Sequence, residues 1–142
     1  ADWTLIGEVK NNAKMYIPIF GNGDINTPEK ASEVKKRYGV DGVMIGRAAI
    51  GNPWIFNERK HYLKTGRRLA QPTIAERVAA CKQHLNHSIK WKGQILGVAE
   101  MKRHYTNYFK GIPHFKDYRI KMITSNCQKE IQSLLDKVAI QF

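Results

Sequence analysis

Apolar positions along this chain follow two different rhythms. In the first 66 residues helical spacing alternates with short continuous apolar runs. Trp3, Ile6 and Val9 recur at the period of a helix, with Asp2 available as its N-cap. Met15 to Phe20 is an unbroken apolar run, which predicts a parallel strand buried on both faces, although Pro18 cannot donate to a ladder. Thr27-Pro28-Glu29 then supplies an N-cap, a proline at the first helical position and an acidic first turn. Gly39 stands where a helix C-terminus favours it, and Ala31, Val34 and Tyr38 share the face between them. Val43-Met44-Ile45 predicts a second buried strand, so residues 15–46 read as one βαβ unit with a right-handed crossover. Asn52-Pro53 repeats the cap-plus-proline start and opens a helix through Trp54, Ile55 and Phe56 toward Leu63.

Beyond the polar connector Thr65–Pro72 only helical periodicity appears, and the domain boundary is placed between residues 66 and 67. Thr73-Ile-Ala-Glu76 is a capping box. Ile74, Val78, Cys81, Leu85 and Ile89 form a stripe that ends before Gly93. Val98, Met101, Tyr105 and Tyr108 form a second, ending at Gly111. Ile120, Ile123, Cys127, Ile131, Leu134 and Val138 form a third that predicts one helix of about six turns. Three such helices bury their stripes only against one another, which predicts a small bundle over residues 67–142. No internal repeat interrupts this pattern.

Charge sharpens the division. Of the net +12, residues 1–66 carry +3 and residues 67–142 carry +9. A basic surface confined to the helical part points to a polyanion, nucleic acid ahead of a membrane surface, because no long apolar face accompanies it. No run of about 18 apolar residues spans a membrane. The two cysteines, Cys81 and Cys127, both fall in apolar stripes and predict buried free thiols in a reducing cytosol.

Candidate chemistry collects at the ends of the two predicted strands. Asn22-Gly23-Asp24 follows the first and Gly46-Arg47 the second. Consecutive strand ends of a (β/α)8 barrel present phosphate sites in this way, with glycine letting backbone N–H groups approach and arginine supplying charge-assisted hydrogen bonds. A turn closed by an Asx hydrogen bond and a surface ion pair explain the same residues without a ligand. The fold class is therefore α/β plus all-α: the C-terminal part of a TIM (β/α)8 barrel, comprising its last two strands and helices, followed by a small helical bundle. A whole barrel needs about 250 residues, so 142 predict that most of it lies outside this chain. The chain, beginning in a helical pattern without a starting Met, reads as part of a longer protein. His84 and His87 share a helix face but lack a third ligand, so no metal is expected. No nucleophile triad has recognisable motif context. Tyr105, Tyr108 and Phe109, interleaved with Lys102, Arg103, His104 and Lys110, suit either core packing or RNA contact through stacking and phosphate pairing.

Ala1-Asp-Trp with Ile6 and Val9-Lys10, Ile17-Pro18 leading into Gly21-Asn-Gly-Asp-Ile25, Asp41-Gly-Val-Met-Ile-Gly-Arg-Ala48 and Gly51-Asn-Pro-Trp-Ile-Phe56 together resemble the C-terminal half of bacterial tRNA-dihydrouridine synthases, closest to the B-type branch. The resemblance continues more loosely through Glu100-Met-Lys-Arg-His104 and Tyr108-Phe-Lys-Gly111, with Asn107 standing where relatives commonly carry Trp. It implies an FMN-binding barrel joined to a helical tRNA-binding domain. The implied reaction reduces the C5=C6 bond of a tRNA uridine, with NADPH regenerating the flavin and a cysteine as general acid. Asn22, Gly23, Asp24, Gly46 and Arg47 match its FMN-binding segments, and Lys102, Arg103, His104 and Lys110 lie in its basic helix. Neither Cys81 nor Cys127 matches its catalytic cysteine, so the chain alone is expected to be inactive in the cytoplasm where such enzymes work. Two other readings stay open: another flavin or phosphate-binding barrel, and a noncatalytic RNA-binding module on a structural half-barrel.

Overall fold

A computed structural model describes all residues, 1–142. They form two units, Ala1–Ala70 and Gln71–Phe142. The first contains helix α1 (Thr4–Lys10), strand β1 (Phe20–Asn22), helix α2 (Pro28–Tyr38), strand β2 (Gly42–Met44), a single 3-10 turn (Arg47–Ala49) and helix α3 (Ile55–Thr65). β1 and β2 pair in parallel, with Phe20 opposite Gly42 and Asn22 opposite Met44.

Local signals fixed α2. The Thr27 hydroxyl accepts from the Lys30 N–H, Pro28 opens the first turn, and Gly39 closes the helix at φ 65°. Its buried Ala31 and Val34 pack with Trp3, Ile25 and Val40 into a small core. Trp3 packs closely against β1: a Cβ on Gly21 would meet its ring at 2.2 Å, so only glycine fits there. The start of α1 matches expectation to within a residue, since the Asp2 carboxylate accepts from the Thr4 N–H at 3.0 Å.

Two expectations fail in this unit. Met15 to Ile19 lie outside β1, and Tyr16 and Ile17 are 91% and 65% exposed. An apolar run becomes a buried strand only where flanking strands and covering helices exist on both sides, and here one partner strand is present. The exposure extends to Phe20 and Met44, so both strands leave apolar side chains open. α3 begins at Ile55 rather than at Asn52-Pro53, and no side chain caps it.

The second unit is all helical. Residues 74–108 form α4 (Ile74–Tyr108), which Gly93 at φ 79°, ψ 169° divides into two arms. The arms fold back on each other. His84 and His104, which would stand about 30 Å apart along a continuous helix, have ring centroids 4.6 Å apart. Gly97 allows the close approach: a Cβ there would meet the Ile89 Cα at 2.6 Å. The Ser88 hydroxyl donates to the Gly97 carbonyl across the same seam. The capping box at Thr73 and Glu76 starts the first arm as its sequence predicts.

The third stripe is two helices, not one: α5 (Lys116–Thr124) and α6 (Gln128–Gln141). Ser125 makes the break, its hydroxyl accepting from the Cys127 N–H and donating to the Glu130 carboxylate at 2.6 Å. As a result Cys127 is exposed, contrary to the buried thiol expected, and Ile120 and Ile123 are partly exposed while Met122 is buried. Cys81, Leu85, Met101, Tyr105, Met122, Ile131, Leu135 and Val138 form the fully buried centre.

Candidate functional site

In the first unit the two glycine-bearing loops meet. β1 delivers Asn22, Gly23 and Asp24 to its C-terminal end, and β2 leads into Gly46 and Arg47. The parallel register sets the two strand ends side by side, and an Arg47 Nη2 donates to Asp24 Oδ1 at 3.1 Å. Asp24 adopts φ 50° and Gly23 φ 135°, a turn that glycine makes readily. Arg47 is 90% exposed, and a Cβ on Gly46 would meet nothing within 4 Å. A free guanidinium edge therefore stands beside an unobstructed backbone at the mouth of the two loops.

Two residues that sequence reasoning missed pin the first loop. The Trp3 indole N–H donates to the Gly23 carbonyl at 3.0 Å, and Arg59 Nη2 donates to the Ile25 carbonyl at 3.1 Å. Arg59 is buried, and its Nε and Nη1 have no partner. Burial pushes its pKa down, opposed by the charges of Glu58 and Glu29. The available signal is spacing: Arg59 falls one helical turn after buried Ile55, where an apolar residue is ordinary.

In the second unit the predicted basic helix is the second arm of α4. Arg103, Thr106 and Asn107 occupy its exposed face, and exposed Lys110 follows in the turn beyond its end. Lys102 is half-buried and its ammonium donates to Asn126 at 2.7 Å. Arg103 Nε donates to His104 Nε2 at 3.3 Å. His104 itself turns inward, with its ring against His84 and its Nδ1 buried without a partner. His84 Nδ1 lies 3.2 Å from the Tyr108 hydroxyl. Both imidazole pKa values are lowered, chiefly by burial, with His87 and Arg103 adding to this at His84 and with the other histidine and Arg103 adding to it at His104.

Tyr105, Tyr108 and Phe109 are core residues, so they present no ring to stack on RNA. Burial raises the Tyr108 hydroxyl to about 12 and the Cys81 thiol to about 12, which leaves both protonated and inert near neutrality. No three His, Cys, Asp or Glu side chains gather as metal ligands. No helix is long and apolar enough to cross a membrane.

The sequence matches the family model described as dihydrouridine synthase over residues 1–141. The chain belongs to the dihydrouridine synthase family. It is 40% identical over 121 residues to tRNA-dihydrouridine synthase B of Pseudomonas putida, an alignment covering 85% of this chain and 35% of that protein. It is 42% identical over 119 residues to the same-named protein of Xanthomonas campestris pv. campestris, covering 84% and 35%. A probable tRNA-dihydrouridine synthase of Rickettsia conorii is 38% identical over 119 residues, with the same coverage. The chain thus spans about a third of the length of these dihydrouridine synthases.

Proposed function

We propose that this chain is part of an FMN-dependent tRNA-dihydrouridine synthase that reduces the C5=C6 bond of a tRNA uridine, with NADPH as reductant, in the cytoplasm. Residues 1–66 would supply the last two strands and helices of its TIM barrel, and residues 67–142 its tRNA-binding domain. The observation that carries this reading is the joining of the two glycine-bearing loops through Asp24 and Arg47, in a chain of this family.

The donor set suits a phosphate. Arg47 commits one N–H to Asp24 and keeps the rest of its fork for an anion, while open Gly46 lets backbone N–H groups approach. Asp24 orients the guanidinium, and Asn22 and Gly23 complete the wall, held in place by Trp3 and Arg59. Bound flavin would supply hydride to the uridine ring. The exposed apolar side chains of Ile17, Phe20 and Met44 fit burial inside a completed barrel.

On the helical unit Arg103 and Lys110 would contact tRNA phosphates from an exposed face, with Lys102 beside them. His104 would hold Arg103 in place rather than touch RNA, because its ring is committed to the hairpin. Neither cysteine suits the general acid: Cys81 is buried with a raised pKa, and exposed Cys127 sits on the helical unit at the α5–α6 break. The acid would come from the portion of the family fold that this chain does not span.

The test uses a chimaera in which this chain replaces the matching segment of the Pseudomonas putida enzyme. Arg47→Ala is expected to weaken FMN binding, read by flavin fluorescence, by one to two decades, the worth of a charge-assisted hydrogen bond of about 1.5–3 kcal/mol. Arg37→Ala, on α2, leaves it unchanged. Equal flavin dissociation constants for the two variants would contradict the site. The chain alone is expected to bind FMN weakly and to show no uridine reduction, and tight stoichiometric FMN with turnover would overturn its reading as a part.

A further inference from the structure

One pocket in the helical unit shares only Lys110 with the tRNA contacts proposed above. The chain between the second arm of α4 and the start of α5 folds into a corner open to solvent with a volume of about 350 Å³, within the ~300–1,000 Å³ of small-molecule sites. Its rim carries Lys110, His114, Lys116 and Arg119, and its floor is Phe109 and Phe115. No carboxylate lines it. None of the three cations belongs to an ion pair, whereas Lys82 and Lys92 of the same unit are paired with Asp136 and Glu100. The nearest acid in sequence, Asp117, is exposed and outside the lining.

Three like charges around one small volume repel one another, and a protein that holds them together without a carboxylate gains most from an anion placed between them. The rings beneath, 2% and 7% exposed, keep water from one side and so strengthen each charge interaction above them. The corner is also fixed in shape. Gly111 sits at φ 88° and His114 at φ 57°, the latter an uncommon conformation for a residue with a side chain, and Arg77 Nη1 donates to the Lys110 carbonyl at 3.3 Å. Phe109, Phe115, Tyr118 and Phe142 form a chain of ring contacts that anchors the base of α5.

We propose that this corner is a nucleotide pocket, taking one nucleotide of an RNA strand with its phosphate against Lys110, Lys116 and Arg119. The volume leaves room for the ribose and base beyond the phosphate. This deepens the tRNA-binding reading of residues 67–142 by naming a local subsite for it, formed by a loop rather than by the exposed face of the basic helix.

The test is a nitrogen-15 NMR titration of the full chain with uridine monophosphate, inorganic phosphate and uridine. Uridine monophosphate is expected to move resonances of residues 109–119 saturably, inorganic phosphate to bind the same residues several-fold more weakly, and uridine to leave them unmoved. Arg119→Ala and, separately, exposed Lys116→Ala are each expected to weaken uridine monophosphate at least tenfold with the helical circular dichroism unchanged. Lys129→Ala and Lys137→Ala, on α6, leave the affinity within twofold. Shifts spread evenly over all surface cations, equal binding of phosphate and uridine monophosphate, or unaltered affinity in both pocket variants would each overturn the proposal. A saturable pocket in a chain that binds no tRNA would leave it standing and remove the tRNA reading; tRNA binding with an unresponsive pocket would do the reverse.

Discussion

The helical unit builds a fully buried centre and the α/β unit has only a small one. In residues 71–142 Leu85, Met101, Ile131 and Leu135 are shielded almost completely, although Trp91, Ile95, Leu96 and Ile140 stay exposed at the surface. In residues 1–70 the core is five buried residues beside a two-stranded sheet whose Phe20 and Met44 remain more than half exposed. Helices satisfy their backbone internally and need only a face to pack. Strands depend on neighbours for both hydrogen bonds and burial, so two of them leave edges and faces open. The contrast says where stability resides.

The contrast breaks most sharply on a pair of truncations. Leu135→Ala is expected to cost about 2–5 kcal/mol in urea unfolding followed by circular dichroism, as for other buried leucines. Tyr16→Ala, at 91% exposure, is expected to stay within about 0.5 kcal/mol. Comparable losses would mean that the first unit buries its apolar run in solution.

The hairpin seam comes next. Gly97→Val forces atoms into the Ile89 backbone and is expected to cost about 3 kcal/mol, at the upper end of overpacking. At the turn itself Gly93 holds a backbone conformation almost confined to glycine, and Gly93→Ala is expected to cost about 1–3 kcal/mol. A neutral result at both sites would point to a continuous α4.

The smallest effect is that of pH. His84 and His104 titrate below their ordinary value in the folded unit, while the unfolded chain protonates near 6.5. Below that pH the unfolded state binds more protons, so stability is full above about 6.5 and falls as the pH drops toward the folded values. His87, Arg103, Glu100 and the Tyr108 hydroxyl surround the pair, and only Glu100 favours its protonation. The Tm should decline from pH 7 to pH 5, and His104→Gln should flatten the decline. An unchanged slope would show that neither imidazole is desolvated.

What the sequence made legible was local. α2 and the first arm of α4 were readable because Thr27, Gly39, Thr73 and Glu76 act within one turn of themselves. The two strand-end loops were readable as neighbours because a βαβ pattern places consecutive strand ends together, although the bond between Asp24 and Arg47 needed the register. The Met15 to Phe20 run misled because an apolar run reports what a strand is suited to bury, not whether a covering layer is present. Cys127 misled because its stripe continued in register across Ser125, and a hydroxyl that serves both a backbone N–H and Glu130 leaves no trace in hydrophobic periodicity. His104 sits among cations in sequence yet faces His84, since its neighbour across the seam is set by the turn at Gly93.

Whether the basic face of the helical unit binds tRNA is read from the salt dependence of tRNA affinity in the full chain and in Arg103→Ala. Each phosphate contact contributes about 0.9 to the slope of log affinity against log salt. Measurable binding at low salt, a steep negative slope, and a slope shallower by about that amount in the variant are expected. No affinity at low salt, or the same affinity and slope in both proteins, would contradict tRNA binding by that face.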